Sequence, residues 1–322
     1  MYLQLLAVIT GFVFLVWSAD RFVYGAAAIA RNLGVPPLII GLTIVGFGTS
    51  APEILISTLA AVQSNPALGV GNAIGSNIAN IGLVIGATAL IMPLSVTSAT
   101  LRREFPVLFV IMLLVILLML NEYLGRLDGV ILLISLAIMV YWLIQLGIRS
   151  RRSDLMLVEY SGEVPERLSN LAALMWLLLG LGVMLLSSEG VVWGAVGLAR
   201  ALGVSNLVIG LTIVALGTSL PEMATSIMSA VKKEHDIAVG NILGSNMFNM
   251  LAVIGLPAVI HPFAIEPIVL ERDIPVMVGM TVALFFASNG YGKPGRITRW
   301  KGFVLLAGFA AYQILLYVQR GS

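Results

Sequence analysis

The sequence predicts an all-α integral membrane protein with ten transmembrane helices, arranged as two inverted-topology five-helix repeats. Three observations predict this fold: an apolar composition, a series of long apolar segments, and motifs that recur at a constant offset. Hydrophobic residues make up 59% of the 322 residues, charged residues make up 11%, and the mean hydropathy is +1.02. Because soluble domains carry about a quarter charged residues, this composition favours a membrane protein.

Each bilayer crossing requires about 20 apolar residues. Apolar segments and the breaks between them predict ten crossings, near 2–30, 36–62, 69–93, 103–121, 128–148, 170–200, 205–231, 238–261, 271–288 and 300–318. The chain begins Met1-Tyr2-Leu3-Gln4, so no basic residue precedes the first apolar segment. A cleavable signal peptide has a basic start, and we therefore expect the first segment to be a retained helix.

Charge and cysteine content exclude some classes of function. If the ten helices alternate in direction, most Lys and Arg residues fall on the side opposite the amino terminus. The positive-inside rule then places that side in the cytoplasm and both termini outside. The net charge of +2 and the pI near 9.0 thus indicate topology and not a nucleic-acid partner. The chain has no cysteine, which excludes disulfides and thiolate metal ligands.

A repeat at an offset of 169 residues divides the chain into two halves. Residues 39–57 match residues 208–226 at twelve of nineteen positions, and residues 70–86 match 239–255 at ten of seventeen. We therefore predict a first repeat at 1–148, a cytoplasmic linker at 149–169 and a second repeat at 170–322. Five crossings per half require the second half to be inserted upside down, as in many secondary transporters. Because the closest matches lie on polar, helix-breaking stretches, we favour a transport site over a purely structural duplication.

The first repeated motif is GTS-x-PE, at Gly48–Glu53 and Gly217–Glu222. Proline inside a helix removes a hydrogen bond and clashes with the carbonyl four residues earlier, so the helix should bend near Gly48 and Gly217. Carbonyls freed at membrane depth must bind protein, water or a cation. An acidic side chain within a crossing is by default a functional-site hypothesis, which applies to Glu53 and Glu222. The structural alternative is that these glutamates pair with a buried arginine. Arg21 is the one candidate, and it adjoins Asp20 in the sequence.

The second repeated motif is GN-xx-GSN-xx-N, which supplies neutral oxygens. Its polar residues recur every four positions and therefore share a helix face: Asn72, Ser76 and Asn80 in the first half, and Asn241, Ser245 and Asn249 in the second. For Asn72 and Asn241, near the helix starts, bonding between helices is a credible role. For Asn80 and Asn249, deeper in the membrane, we favour ion coordination.

Together the two motifs predict a site for a hard cation. Calcium takes six to eight oxygen ligands, often from bidentate carboxylates, and backbone oxygens around Thr49 and Thr218 can complete the shell of Glu53 and Glu222. Both histidines, His235 and His261, lie at segment ends, so soft transition metals are disfavoured. Two carboxylates balance either one divalent or two monovalent cations, which is a physical basis for exchange.

With these doubled motifs the sequence resembles the sodium/calcium exchanger family, within the calcium:cation antiporters, over essentially the whole chain. The resemblance implies a Ca²⁺ site at Glu53, Glu222, Thr49 and Thr218, and a sliding motion of the first and sixth helices. It also implies that side chains and backbone of both halves bind Na⁺, namely Ser50, Ser219, Ser76, Ser245, Asn80 and Asn249, with backbone from Gly46 and Ala215. Some relatives carry aspartate where this chain has Asn80 or Asn249. The short linker leaves no room for a cytosolic sensor domain, as in compact prokaryotic forms.

The resemblance implies an antiporter that exchanges Ca²⁺ for Na⁺ in the inner membrane of a prokaryote, with the lipid bilayer as its environment. We expect no cofactor and no obligatory protein partner. A proton/calcium antiporter of the same fold is the main alternative, because a buried glutamate can bind a proton instead of sodium. A cation channel is less favoured, since one chain carries both motifs. An enzyme is disfavoured because no Ser–His or paired-Asp arrangement lies within the crossings. The roles of Asp20, Arg21 and Glu189 stay open.

Overall fold

The structure is a computed structural model that describes residues 1–154, 168–203, 215–290 and 295–319. The described chain is almost entirely helical. We number its helices α1 Tyr2–Leu33, α2 Pro37–Thr49, α3 Ala51–Val62, α4 Ala67–Ile91, α5 Ser98–Met119, α6 Arg126–Asp154, α7 Asn170–Ala201, α8 Ala215–Thr218, α9 Leu220–Val231, α10 His235–Ile260, α11 Ile274–Ser288 and α12 Arg299–Gln319. A π-helical turn at Val269–Asp273 precedes α11.

Several of these helices are long and apolar enough to span a bilayer. Within the described ranges, six qualify, namely α1, α4, α6, α7, α10 and α12, and the bent pair α2–α3 is long and apolar enough to be either a broken span or a re-entrant loop. The predicted boundaries are close to the observed ones: the crossing predicted at 170–200 is α7. Part of the crossing predicted at 205–231, namely residues 205–214, lies outside the described residues.

The described residues also include four short strands, which the all-α prediction did not anticipate. Strand β1, Leu94–Val96, pairs antiparallel with β4, Gly295–Ile297, and β2, Tyr123–Leu124, pairs antiparallel with β3, Phe263–Ala264. Each strand has two or three residues and lies in a connection between long helices. These extended connections satisfy their backbone groups by pairing with each other, which no local sequence pattern revealed.

The backbone repeats itself at the same offset of 169 residues as the sequence. Left-handed glycines follow α1 and α7, at Gly34 (φ 62°) and Gly203 (φ 78°). Positive φ angles also recur at Ser64 (62°) and Lys233 (63°), beyond α3 and α9. Helices α4 and α10 both contain a π-helical segment, at Asn80–Ile85 and Asn249–Val253. The duplicated sequence therefore encodes a duplicated local structure.

Helices α1 and α7 are equivalent under this repeat, have 32 residues each, and pack against each other in antiparallel orientation. Gly25, in the last third of α1, faces Ala173 and Leu177 near the start of α7, whereas Gly194, near the end of α7, faces Gln4 at the start of α1. A Cβ atom on Gly194 would lie 2.6 Å from the Gln4 carbonyl oxygen. Small residues thus allow the close backbone approach that is typical of membrane helices.

Helices α4 and α10 lie at the centre of the molecule. In the most apolar 18-residue stretch of each helix, 72% of the residues of α4 and 89% of those of α10 are buried. The corresponding share is 22–33% for α1, α6, α7 and α12. Helix α10 crosses α2 at glycines on both sides. A Cβ on Gly46 would lie 3.0 Å from Ser245 N, and one on Gly244 would meet the Leu42 carbonyl oxygen. This crossing brings the end of α2 against the polar face of α10.

Candidate functional site

Both GTS-x-PE motifs interrupt their helices at the serine. Ser50 (φ −82°, ψ 0°) separates α2 from α3, and Ser219 (φ −90°, ψ 3°) separates α8 from α9. The following proline occupies the first turn of the new helix, and α3 is bent by 44° from α2. The predicted helix breaks are therefore confirmed. As a result, Glu53 and Glu222 lie in the first turns of α3 and α9, where the helix dipole favours negative charge.

Carbonyl groups near the breaks bind neighbouring protein. Ser188 Oγ of α7 donates a hydrogen bond to the Gly217 carbonyl oxygen at 3.1 Å. Ser245 Oγ of α10 donates to the Gly46 carbonyl oxygen at 3.3 Å, and Ser50 N donates to the same oxygen at 3.1 Å. The sequence left protein, water or a cation open as the partner of the Gly217 carbonyl. In the described structure this partner is the hydroxyl group of Ser188.

The structure buries most of the predicted ion-binding residues. Nine of them are at most 6% exposed: Thr49, Ser50, Glu53, Ser76, Asn80, Ser219, Glu222, Ser245 and Asn249. Thr218 is half-buried, Gly46 is buried, and Ala215 begins helix α8. Predicted site residues from both halves are thus buried, and Thr49 and Gly46 of the first half contact Ser245 of the second.

Several buried oxygen atoms at this location have no hydrogen-bond partner among the residues that the structure describes. They are Glu53 Oε2, Glu222 Oε2, Ser50 Oγ and Asn249 Oδ1. A buried carboxylate oxygen without a partner is costly, and a cation can compensate it. Arg21 does not serve this purpose, because its guanidinium lies 3.8 Å from Asp20 and 5.0 Å from the centre of the Trp176 ring.

Thr49 connects the two halves of the candidate site. Its hydroxyl donates to Asn241 Oδ1 at 3.0 Å and lies 3.2 Å from Ser245 Oγ. Because all three side chains are buried, these bonds fix the end of α2 against α10. The backbone of the Thr49 region is thereby held near the first turn of α9.

Asn72 and Asn241 bond between helices, the role considered credible for them from the sequence. Asn72 Nδ2 donates to Ser57 Oγ at 3.1 Å and to the Glu53 carbonyl oxygen at 3.4 Å. Asn241 Nδ2 donates to Ser226 Oγ at 3.1 Å and to the Glu222 carbonyl oxygen at 3.3 Å. The two amides therefore hold the glutamate-bearing turns in the same way in each half.

Ser57 and Ser226 also belong to this arrangement and were not among the predicted site residues. Each follows its glutamate by four residues and so lies on the same helix face, and the repeated serine at the end of the aligned segments was a usable signal. Asn77 and Asn246, which bond to the predicted ligands Asn249 and Asn80, were not predicted either. Their recurrence in both GSN triplets was the corresponding signal.

A cavity of about 440 Å³ adjoins the helix breaks. Its lining includes Pro52, Pro221 and Thr218 of the motifs, together with Ser188 and Glu189 of α7. Glu189 is exposed, so the cavity carries an acidic group at its wall. Asp20, the residue equivalent to Glu189 in the first half, instead forms an ion pair with Lys232 at 2.7 Å.

Comparison with known proteins identifies the family. The family profile described as "Sodium/calcium exchanger protein" matches residues 3–145 and 172–318. The chain belongs to the sodium/calcium exchanger family. The exchanger is 49% identical to a protein named CaxA from Alkalimonas amylolytica, over 96% of this chain and 97% of that protein. It is 39% identical to the inner membrane protein YrbG of Escherichia coli, over 98% of each chain.

A solved structure of the sodium-calcium exchanger NCX_Mj, soaked with zero Na⁺ and Ca²⁺, has the same fold. The match has a TM-score of 0.83 and 31% identity, and it covers 98% of this chain and 99% of that one. The present chain is accordingly a multi-pass membrane protein of a cation exchanger family. Family members are transporters, which agrees with the expectation that the chain is not an enzyme.

Proposed function

We propose that this exchanger moves Ca²⁺ against Na⁺ by alternating access around a site built on Glu53 and Glu222. The observation that carries the proposal is the pair of buried, unpartnered Oε2 atoms at equivalent positions of the two helix breaks. Two buried carboxylates that no positively charged group of the protein compensates are stable only when a cation or a proton is bound. Transport then follows from the need to exchange one bound cation for another.

The proposed architecture has ten crossings in two inverted halves, 1–148 and 170–322, joined by a cytoplasmic linker at 149–169. The antiparallel packing of the equivalent helices α1 and α7 supports this topology. An inverted repeat places the site at mid-membrane between the halves and allows one set of helices to move against the other. The similarity to NCX_Mj over nearly the whole chain also supports it.

The proposed Ca²⁺ site consists of Glu53, Glu222, Thr49 and Thr218. Two bidentate carboxylates supply four oxygens, and backbone oxygens at the two threonines bring the number to six, within the range that calcium requires. The hydrogen bond from Thr49 to Asn241 supports this assignment, because it holds the α2 backbone in place at the break.

The proposed Na⁺ ligands are side-chain oxygens of both halves and two backbone groups: Ser50, Ser219, Ser76, Ser245, Asn80 and Asn249, with backbone from Gly46 and Ala215. The unpartnered oxygens of Ser50 and Asn249 support their inclusion. Since Asn80 and Asn249 are neutral, the proposed site carries only two negative charges. These balance either one Ca²⁺ or two Na⁺.

Proton/calcium antiport is the second candidate function. Burial favours the protonated form of a carboxyl group, and Glu53 and Glu222 are each 1% exposed. A proton can therefore replace sodium as the compensating cation. We favour sodium because neutral oxygens from both halves surround the carboxyls.

For the cellular location, we propose the inner membrane of a prokaryote with both termini outside. The name of the similar Escherichia coli protein supports the membrane, and the distribution of Lys and Arg supports the orientation.

The test is uptake of radioactive calcium into proteoliposomes that are loaded with sodium and diluted into sodium-free buffer at fixed pH. A parallel series replaces the sodium gradient with a proton gradient. We expect uptake that requires the sodium gradient and ends when a sodium ionophore dissipates it. Uptake that requires only the proton gradient would favour proton/calcium antiport. Calcium flux without any counter-ion gradient would favour a channel.

A further inference from the structure

Two reciprocal hydrogen bonds join the asparagines of α4 and α10. Asn80 Nδ2 donates to Asn246 Oδ1 at 3.1 Å, and Asn249 Nδ2 donates to Asn77 Oδ1 at 3.1 Å. The repeat offset of 169 residues relates Asn77 to Asn246 and Asn80 to Asn249, so each bond is the counterpart of the other. All four side chains are 1% exposed. The arrangement therefore lies in the dry interior, where such bonds define side-chain orientation.

The direction of these bonds determines what the predicted ligands present to a cation. An asparagine amide has an NH₂ end that donates and an oxygen that accepts, and only the oxygen can coordinate a cation. In both pairs the NH₂ end of the predicted ligand is held by its partner. For Asn249 the opposite end, Oδ1, is buried and has no partner within the described residues. The bond thus leaves the acceptor end available.

The orienting residue Asn77 is itself held in place. Its Nδ2 donates to the Asn246 carbonyl oxygen at 3.3 Å and lies 3.6 Å from the Met277 sulfur. With its NH₂ end engaged, Asn77 can offer only Oδ1 to Asn249. Asn80 and Asn249 also begin the π-helical segments of α4 and α10. The irregular backbone there does not itself define how their side-chain amide groups are rotated.

We propose that Asn77 and Asn246 are positioning residues that orient the amides of Asn249 and Asn80, so that their oxygens face the transported monovalent cation. This inference rests on the proposed function and extends it to two residues that do not contact the ion. Each positioning residue lies in the opposite half from the ligand it orients. Sodium coordination by one half therefore depends on the packing of the other.

Loss of an orienting oxygen frees the ligand amide to rotate and to present NH₂ toward the cation. Sodium binding should weaken, because its shell depends on neutral oxygens. Calcium binding should change much less, since Glu53 and Glu222 supply most of its ligands. The expected signature is thus a change in the ratio of the two affinities.

The test compares Asn246→Leu, which removes the acceptor at similar size, with Asn246→Asp, which retains an acceptor oxygen. For Asn246→Leu we expect the half-saturating Na⁺ concentration of sodium-driven Ca²⁺ uptake to rise roughly tenfold, as loss of about one buried hydrogen bond implies. Calcium binding in sodium-free buffer should change by less than about twofold, since its carboxylates stay in place. Asn246→Asp should lie closer to the unmodified protein.

A double-mutant cycle with Asn80→Leu tests whether Asn246 acts through Asn80. If it does, the double variant should bind Na⁺ no more weakly than Asn80→Leu alone. If one of these leucine variants fails to fold, Asn77→Leu allows the equivalent comparison, because Asn77 holds the predicted ligand Asn249. Unchanged sodium dependence, additive effects, or an equal loss of Na⁺ and Ca²⁺ binding would each overturn the proposal.

Transport by the unmodified protein distinguishes a failure of the positioning role from a failure of the proposed function. Sodium-driven uptake by the unmodified protein, together with an unaffected Asn246→Leu variant, would contradict only the positioning role. Absence of any sodium dependence in the unmodified protein would contradict both.

Discussion

Lys232 Nζ lies 2.7 Å from Asp20 Oδ1, and this ion pair joins α1 to the residue that follows α9. The lysine also lies 5.6 Å from the centre of the Tyr24 ring. The repeat relates Asp20 to Glu189 and Lys232 to Gln63, so the second half has no equivalent ion pair. Glu189 instead lines the cavity beside the helix breaks. The equivalent acids of the two halves therefore differ in their surroundings: Asp20 is in an ion pair, and Glu189 lines a cavity.

Lys232→Gln should loosen the contact between α1 and α9 and increase access to the site from the Lys232 end. The side chains are 28% and 34% exposed, so we expect an effect of at most about 1 kcal/mol, or roughly fivefold in population. Because the chain has no cysteine, a single Ser229→Cys substitution near the end of α9 reports access through its rate of thiol labelling. Labelling should be faster when Lys232→Gln is present.

Glu189→Gln provides the matched comparison for this labelling experiment, because it leaves Lys232 intact and removes an acid that forms no ion pair with any residue that the structure describes. An equal acceleration by both variants would contradict a specific role for the Asp20–Lys232 pair.

Glu53→Gln or Glu222→Gln should abolish calcium exchange while the protein remains inserted and folded. Each change removes one of the two charges that compensate the cation, and it relieves the cost of a buried, unpartnered carboxylate. We expect no calcium-driven increase in thermal stability for either variant, in contrast to the unmodified protein. Glu122→Gln, at an exposed position, is the control and should transport normally. Near-normal exchange by a Glu53 or Glu222 variant would rule out the proposed site.

Gly46→Ala should impair exchange and lower stability, whereas Gly71→Ala should not. A Cβ on Gly46 would lie 3.0 Å from Ser245 N and would force α2 away from α10, but Gly71 has open space around it. Overpacking of this kind costs about 1–3 kcal/mol. Thermal unfolding in detergent and calcium uptake measured on both variants test the difference. Equal behaviour of the two alanine variants would show that the close crossing is not required.

Glu189→Gln should slow calcium uptake at low calcium concentration and low ionic strength. An acidic group at the wall of a cavity raises the local concentration of cations, and salt screens this effect. The maximal rate at saturating calcium should be unchanged, because Glu189 is not among the proposed ligands. Initial rates measured at about 10 mM and 150 mM ionic strength, where the screening lengths are about 30 Å and 8 Å, provide the test. A loss that is independent of salt would point to another role.

Much of the local structure could be predicted from the sequence. Breaks at Ser50 and Ser219 follow from prolines two residues later, because a proline's effect on a helix is local. The interhelical role of Asn72 and Asn241 was also predictable, since polar groups near helix starts in a membrane must find partners. The length of α1 and α7 was visible as long, mostly apolar segments with few charged residues.

The sequence alone indicates most of the helices, their breaks, the repeat and many of the polar residues at the candidate site. The tertiary structure adds the contacts between them: Thr49 with Asn241, Asn77 with Asn249, and Asp20 with Lys232. It also decided the four short strands and the partner of the Gly217 carbonyl. Helix breaks and apolar lengths depend on neighbouring residues, whereas these contacts join distant residues and depend on how the helices pack.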